Sequence, residues 1–352
     1  MNDSEYMRRA LSLARRGAGQ TSPNPPVGAV LVKDSVELGA GWHKGAGQPH
    51  AEVEALNDAV RRYGEGAARG ATMYVTLEPC STHGRTGPCT TALIRSGIKR
   101  VVIGAIDPNP THGGKAESLL LDAGIDVMEG IEESACQSVI RAFTKVQRSG
   151  LPWVMVKSAF GMDGRVTRPP SEGQWLSGGG SRKEVHALRG EVDAILTSGK
   201  TVRSDNPRLT IRGTSVAAEK EQPLRVVLTS RENGVPKDSH ILTDDFRDRT
   251  LIYRSRRIEC VLRDLVSDHG VLSVMIEAGG NLVGQFLDEG WVDEVVFYLA
   301  PLITGGEVPA VGGEGAVDLE RRIQMGSCSF NRIGNDVRVR ATILRSGNFG
   351  DA

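Results

Sequence analysis

The chain has 352 residues, more than the ~100–200 usual for one domain, and ordinary fractions of hydrophobic (39%) and charged (24%) residues, which excludes collagen-like and coiled-coil arrays. Its 43 basic side chains balance 43 acidic ones, so the basic field of a general nucleic-acid binder is missing. Five scattered cysteines and the lack of any long apolar run favour a cytoplasmic protein. We expect a small-molecule substrate, neither nucleic acid nor membrane as partner, and leave a homo-oligomer open.

The first half alternates helix and strand signals, which is typical of a layered α/β sheet. A helix with Asp3 or Ser4 as its N-cap comes first, followed by a hairpin whose strands are separated by Lys33-Asp34-Ser35. The predicted helices are 3–16, 50–63, 90–96, 114–123 and 132–147, and the predicted strands are 27–32, 36–42, 73–77, 101–105 and 125–128.

A linker at 149–152 indicates a domain boundary, so we predict domains at 1–148 and 149–352. The second half alternates again and is also expected to be α/β. Its predicted strands are 153–156, 194–197, 225–228, 272–276 and 295–299, with helices at 179–189 and 281–289 and an edge strand at 337–344.

A metal-binding pattern lies in the first half. His50-Ala51-Glu52 opens a helix, and Cys80 and Cys89, each preceded by proline, follow a strand; this is the signature of zinc deaminases. One imidazole and two thiolates fill three tetrahedral positions and leave the fourth for a water whose pKa the metal lowers. Glu52 is placed to take the proton of that water and deliver it to the departing amine.

Weaker signals surround this pattern. A structural zinc site with His83 as fourth ligand is the alternative, although it leaves Glu52 without a role. Asn24 is a candidate to face a substrate carbonyl and His43 to bind an anionic group; turn chemistry or a solvated loop explains them about equally well. In the second half, the turn at 277–281 follows an apolar strand and opens a helix, so its amides suit a cofactor phosphate, but it is not a dinucleotide-binding GxGxxG fingerprint.

Together these motifs resemble one family, the bifunctional deaminase/reductases of riboflavin biosynthesis, over nearly the whole chain. The matching stretches are Asn24-Pro25-Pro26-Val27-Gly28, Gly41-Trp42-His43, Pro49-His50-Ala51-Glu52, Thr76-Leu77-Glu78-Pro79-Cys80-Ser81, the segment 83–89, Asp107-Pro108-Asn109-Pro110, Lys157, Met162-Asp163-Gly164-Arg165, Gln174-Trp175, Leu188-Arg189, Thr201-Val202, Asp205, Leu209-Thr210-Ile211-Arg212 and Glu277-Ala278-Gly279-Gly280. The loop between the two cysteines is longer than in cytidine and tRNA deaminases and is the most specific element.

The resemblance implies a cytidine-deaminase-like α/β/α domain followed by a dihydrofolate-reductase-like α/β domain. The first would deaminate 2,5-diamino-6-ribosylamino-4(3H)-pyrimidinone 5′-phosphate with one Zn²⁺; the second would reduce the ribosyl group to ribityl with NADPH. It also implies sites in the second domain. The cofactor contacts would be Ala159, Trp175, Thr201, Ser230, Glu277, Gly279, Gly280 and Gly284; the substrate contacts Arg189, Asp205, Leu209 and Arg212; and the candidates for proton transfer Lys157 and Asp205.

Three other functions share parts of this pattern. A deaminase of nucleic acid, or of another free pyrimidine or purine, would carry the same zinc motif with a non-reductase second domain, but zero net charge makes phosphate tracking weak. A zinc-stabilised binding protein would have no use for Glu52. A chain with one active and one inactive domain is the third alternative.

Overall fold

The protein folds as two compact units, Met1–Leu151 (unit 1) and Pro152–Ala352 (unit 2). The computed structural model describes residues 1–82, 87–110, 113–166, 175–213, 220–232, 234–316 and 322–344. His83 and Gln174, both named above, lie outside these residues. The domain boundary predicted after residue 148 falls in the helix that closes unit 1, Arg141–Ser149.

Unit 1 is built on a five-stranded sheet within its described residues. The strands are β1 (Gly28–Lys33), β2 (Val36–Trp42), β3 (Thr72–Leu77), β4 (Arg100–Ala105) and β5 (Asp126–Met128), in the order β2–β1–β3–β4–β5. β1 pairs antiparallel with β2 and β3, whereas β3, β4 and β5 run parallel. The carboxyl ends of β3 and β4 therefore lie side by side, where ligand sites of open α/β sheets form.

Helices cover both faces of this sheet. They are α1 (Asp3–Ala14), α2 (Ala51–Tyr63), α3 (Cys89–Ser96), α4 (Ala116–Asp122), α5 (Glu133–Val139) and α6 (Arg141–Ser149), with a 3₁₀ turn at Arg15–Gly17. Because strand side chains alternate, Leu31 and Met73 join the core under α2, α3 and α4, while Val30 and Tyr74 pack under α1 and α5. This is the predicted α/β/α arrangement.

Two local predictions in unit 1 need correction. The residue that caps α1 is Asn2, not Asp3 or Ser4: its side chain accepts a hydrogen bond from Glu5 N, and the Glu5 carboxylate accepts one from Asn2 N. The closing helix predicted at 132–147 is two helices, because the chain leaves helical geometry at Ile140.

Unit 2 contains an eight-stranded sheet in its described part. The strands are β6 (Trp153–Gly161), β7 (Ala194–Ser198), β8 (Leu224–Thr229), β9 (Thr250–Arg254), β10 (Ser273–Ile276), β11 (Glu294–Ala300), β12 (Gln324–Ile333) and β13 (Asp336–Leu344), in the order β12–β13–β11–β6–β10–β7–β8–β9. The six strands from β11 to β9 run parallel to one another, whereas β13 pairs antiparallel with β11. β13 was predicted as the edge strand, but β12 pairs outside it and forms the edge.

The helices of unit 2 connect these parallel strands. They are α7 (Gly179–Arg189), α8 (Gly199–Asp205), α9 (His240–Thr243), α10 (Ile258–Ser267) and α11 (Gly280–Asp288), with a 3₁₀ turn at Arg247–Arg249. Val185 and Leu188 of α7 pack on Met155 and Met275 in the sheet. Within the described ranges, no helix combines the length and apolarity needed to span a bilayer.

Candidate active sites

The predicted metal ligands of unit 1 meet at the carboxyl end of β3. His50 is the N-cap residue that precedes α2, Cys80 follows β3 and Cys89 begins α3. The Nδ1 atom of His50 lies 3.5 Å from the Cys80 sulfur and 3.3 Å from the Cys89 sulfur. All three ligand atoms lie within 4.8 Å of one another.

This set of atoms fits zinc. A tetrahedral centre with Zn–N of about 2.1 Å and Zn–S of about 2.3 Å separates its ligand atoms by about 3.6 Å, close to the distances here. Cys89 N donates to the Cys80 sulfur (3.3 Å), and the start of α3 favours negative charge on Cys89. Three protein ligands leave a fourth position, as in catalytic zinc sites.

Glu52 lies in the first turn of α2 and is 3% exposed. Burial raises the pKa of its carboxyl group to about 7, and a hydrogen bond joins it to the Cys89 thiol. The hydrogen bonds that Cys89 and His50 make to Cys80 lower the pKa of the Cys80 thiol to about 4. The structure thus brings all four residues of the predicted zinc and proton-transfer site together.

Asn24 and His43 lie beside the metal ligands. The Asn24 side-chain nitrogen is 3.0 Å from His43 Nε2, and His43 Nδ1 is 3.1 Å from Pro49 O. The His43 ring packs edge-on against the His50 ring, with ring centres 5.2 Å apart. Burial lowers the pKa of His43, and a neutral ring with its proton on Nδ1 satisfies both contacts. His43 therefore orients Asn24.

Glu78 is a functional candidate outside the set of site residues predicted from the sequence. Its buried carboxylate accepts hydrogen bonds from Asp107 N (3.2 Å), Gly114 N (2.9 Å) and Ala116 N (3.0 Å). It thereby ties the strand that leads to Cys80 to the loop after β4. Its position between a buried strand and Pro79-Cys80 was the available signal.

In unit 2, Glu277 stands at the centre of a buried ionic cluster. Its carboxylate accepts two hydrogen bonds from Arg189 (2.7 and 3.0 Å), and Lys157 Nζ lies 3.9 Å away. Burial alone would raise the pKa of Glu277, but the charges of Arg189 and Lys157 outweigh this and lower it to about 2. Burial also lowers the pKa of Lys157. A predicted substrate contact, Arg189, and a predicted proton-transfer residue, Lys157, thus meet a residue predicted to contact the cofactor.

The other predicted substrate residues lie at the end of α8 and on the segment that follows it. Asp205 is the last residue of α8, and residues 206–212 continue without helix or strand. Arg189 Nη1 donates to Thr210 O (2.8 Å), which connects this segment to the ionic cluster. Arg212 is exposed, but part of its side chain is covered by the protein. This partial burial, followed by the charges of Arg189 and Arg208, lowers the pKa of its guanidinium group. Leu209 is buried.

The predicted cofactor residues fall at the carboxyl ends of the parallel strands. Gly279 N lies 3.3 Å from Thr201 Oγ1, so the starts of α8 and α11 are close together. Gly279 precedes α11 with no side-chain cap, which leaves the first amide groups of α11 suited to an anion. Ser230 directly follows β8, and Ala159 lies near the end of β6. Trp175 is exposed, and its ring centre lies 5.7 Å from the Arg182 guanidinium carbon.

The glycines of this turn differ in what surrounds them. A Cβ atom at Gly279 would meet no described heavy atom within 4 Å. A Cβ at Gly280 would collide with Pro309 O, and one at Gly284 with Gly312 O. Close packing of α11 therefore explains Gly280 and Gly284 by itself, whereas the open surroundings of Gly279 suit a close ligand.

Comparisons with known proteins match both units of the chain. Residues 1–105 match the family described as "Cytidine and deoxycytidylate deaminase zinc-binding region", and residues 152–339 match the "RibD C-terminal domain". The riboflavin biosynthesis protein RibD of Escherichia coli is 39% identical over 87% of this chain and 90% of that protein; the one of Bacillus amyloliquefaciens is 36% identical over 98% and 97%.

Two solved structures are similar over almost the whole chain. Acinetobacter baumannii RibD has a TM-score of 0.87 at 34% identity and covers 97% of this chain and 99% of its own. The Thermotoga maritima diaminohydroxyphosphoribosylaminopyrimidine deaminase/5-amino-6-(5-phosphoribosylamino)uracil reductase has a TM-score of 0.86 at 31% identity with the same coverage.

The fold, the metal-binding cluster and the family matches together define a two-domain α/β enzyme. It has a zinc-binding deaminase domain of the cytidine-deaminase kind and a reductase domain. The predicted fold class is confirmed. The chain belongs to the RibD family of riboflavin biosynthesis proteins.

Replacing one thiolate tests the metal assignment. We expect Cys80→Ser to reduce bound zinc from one ion per chain to well below one, because the site loses one of its three protein ligands. Metal content after dialysis measures this by atomic emission. Cys260→Ser, at an exposed cysteine, is the matched control and should keep its zinc. Full zinc in Cys80→Ser would refute the ligand set.

The two kinds of glycine can be separated by alanine substitution. We expect Gly284→Ala to lower the unfolding free energy by about 1–3 kcal/mol, the usual cost of overpacking. Gly279→Ala should leave stability unchanged and raise the KM for NADPH by about tenfold, equivalent to about 1.4 kcal/mol. Urea unfolding and NADPH titration give the two values, and an unchanged KM would argue against cofactor approach at Gly279.

The Glu277 cluster should make stability depend on pH. Its lowered pKa means that Glu277 stabilises the fold above about pH 5 and loses this contribution as the pH falls towards 2. We expect Glu277→Gln to cost about 3–5 kcal/mol at pH 7, because two buried cations lose their partner. Urea unfolding at pH 7 and pH 3 should show the gap to the parent narrowing at pH 3. The exposed Asp248→Asn serves as control; a gap independent of pH would contradict the assignment.

Proposed function

We propose that this chain catalyses two consecutive steps of riboflavin biosynthesis. Unit 1 deaminates 2,5-diamino-6-ribosylamino-4(3H)-pyrimidinone 5′-phosphate by hydrolysis, and unit 2 reduces the ribosyl group of the product to ribityl with NADPH. The observation that carries the proposal is the meeting of His50, Cys80, Cys89 and Glu52 in a chain similar to RibD over nearly its whole length. The similar Thermotoga maritima protein is described as a deaminase and reductase with the same two activities.

In unit 1, His50, Cys80 and Cys89 are the proposed zinc ligands. A bound zinc ion supplies Lewis acidity that makes water nucleophilic at neutral pH. Glu52, held in the first turn of α2, accepts a proton from the attacking water and returns it to the amino group, which leaves as ammonia. Asn24, oriented by His43, is placed to fix the pyrimidine ring. Burial of Glu52 keeps bulk water from competing for this proton.

In unit 2, the proposed substrate contacts are Arg189 at the end of α7 and Leu209 and Arg212 on the segment after α8. The proposed proton-transfer residue Asp205 is the last residue of α8. Guanidinium groups suit the phosphate of a ribotide. NADPH supplies the hydride that reduces the ribosyl carbon. Lys157, kept close to Glu277, is the proposed donor of the proton to the sugar oxygen; its lowered pKa makes it a better acid near neutral pH.

The proposed cofactor contacts centre on the starts of α8 and α11. Thr201, Gly279 and the start of α11 would receive a phosphate of NADPH, and Ser230 lies at the end of the neighbouring strand β8. Ala159, Trp175, Glu277, Gly280 and Gly284 complete the proposed set. For Gly280 and Gly284 the contribution is the close packing that places α11.

The alternative of a nucleic-acid deaminase with a non-reductase second domain is not favoured. The second unit matches the RibD C-terminal domain over 152–339. We further propose that the protein works in the cytoplasm, where its free zinc-binding thiols stay reduced. A homo-oligomer is proposed because the edge strand β12 exposes Phe330, and size-exclusion chromatography tests it.

Separate readouts for the two activities test the whole proposal. Purified protein is given the diaminopyrimidine ribotide, and ammonia release and NADPH oxidation are followed independently. Both signals support the two-step assignment. Ammonia release without NADPH oxidation would leave a deaminase with a differently used second unit. If zinc-loaded protein gives neither signal, the substrate assignment is wrong.

Glu52→Gln isolates the proton-transfer role. We expect ammonia release to fall by at least ~100-fold, the lower range for general acid–base catalysis, while zinc content stays the same. NADPH oxidation on already deaminated substrate should be unchanged, because Lys157 and Glu277 belong to unit 2. Glu65→Gln, at an exposed position beyond α2, is the control. Loss of both activities together would speak against independent sites.

A further inference from the structure

The loop at 206–212, which carries Leu209 and Arg212, is held in an unusual backbone conformation. Asn206 (φ 41°) takes the left-handed conformation as the C-cap of α8, and Leu209 (φ 51°) takes it again three residues later within the loop. For a branched side chain such as Leu209 this conformation is rare. Neighbouring groups must therefore hold the loop in place.

Gln222 provides such a contact, two residues before β8. Its side-chain oxygen accepts a hydrogen bond from Ile211 N (2.6 Å), and its side-chain nitrogen donates to Ile211 O (3.2 Å). The amide group thus pairs with both main-chain groups of one residue, as a neighbouring strand would. Ile211 lies directly before Arg212, so this pairing fixes the point from which Arg212 extends.

Arg225 anchors the other end of the loop. It lies in β8, is 1% exposed, and donates from Nη1 to Arg208 O (3.1 Å). Two hydrogen bonds to Asp244, of 2.7 and 2.9 Å, keep this guanidinium group in place. Leu209 therefore lies between two anchored residues, Arg208 and Ile211.

The charges around the loop explain why anchors are needed. Arg212 is close enough to Arg189 and Arg208 for their positive charges to act on it. The Glu277 carboxylate compensates Arg189, but Arg208 and Arg212 on the loop remain like charges that repel each other. A loop without anchors would move its arginines apart, and binding a phosphate would then have to bring them back at a cost in affinity.

We propose that Gln222 is a positioning residue of the reductase site: by pairing with Ile211 it holds Arg212 in place for the phosphate group of the ribotide. This inference rests on the proposed reductase function. Gln222 itself acts through the main chain of the loop, so the effect should fall on phosphate recognition and not on hydride transfer.

The test is Gln222→Ala in the full chain. We expect the KM for the deaminated ribotide to rise by about tenfold or more, within the up to ~100-fold loss caused by a misplacement of ~1 Å. The KM for NADPH and ammonia release by unit 1 should stay at the parent values. With the phosphate-free riboside as substrate, the variant and the parent should have the same kcat/KM. Gln324→Ala, at an exposed glutamine of β12, is the matched control.

Gln222 is a better test than Arg225, because removing Arg225 leaves the carboxylate of Asp244 half-buried without its partner and threatens folding. An unchanged ribotide KM in Gln222→Ala would overturn the inference, as would equal losses with ribotide and riboside, which indicate a merely structural role. If the parent itself does not oxidise NADPH with the ribotide, the proposed function fails instead.

Discussion

Charged groups buried at the carboxyl ends of parallel strands must be compensated by partners inside the protein. In both units, the partners that do this connect the segments that form the site. Glu78 is surrounded by three main-chain amides, and Glu277 by Arg189 and Lys157. Each carboxylate also joins two separate segments: Glu78 connects β3 to the loop after β4, and Glu277 connects β10 to α7 and β6. The contacts that compensate the charge of each carboxylate therefore also hold the segments of each site together.

Glu52 is buried under a different constraint. It shares a small volume with the thiols of Cys80 and Cys89 and the imidazole of His50, the groups that would hold the zinc ion and its water. Glu277, held between two cations, stays ionised throughout the neutral range. Two buried glutamates therefore serve different purposes: Glu277 fixes geometry, and Glu52 is suited to moving a proton.

Sequence patterns predicted what is local and missed what is distant. The zinc site was recognisable because His50, Glu52, Cys80 and Cys89 stand next to helix starts and strand ends that hydrophobic spacing also indicates. β12 was missed because its ten residues are almost entirely exposed and lack the alternating pattern of a half-buried strand, and β13 was consequently taken for the edge. No periodicity could have revealed the pairing of Gln222 with Ile211, since it depends on how two loops meet.

The turn at 277–281 illustrates the same limit at a finer scale. In the sequence, Gly279 and Gly280 are equivalent members of one glycine pair, and both were assigned to the cofactor. The structure separates them: Gly280 lies against the main chain of Pro309, whereas Gly279 faces open space beside Thr201. A glycine that packing requires and a glycine that a ligand requires are indistinguishable by residue type, because both serve to let another group come close. Only the identity of that group, which the fold determines, assigns one to stability and the other to binding.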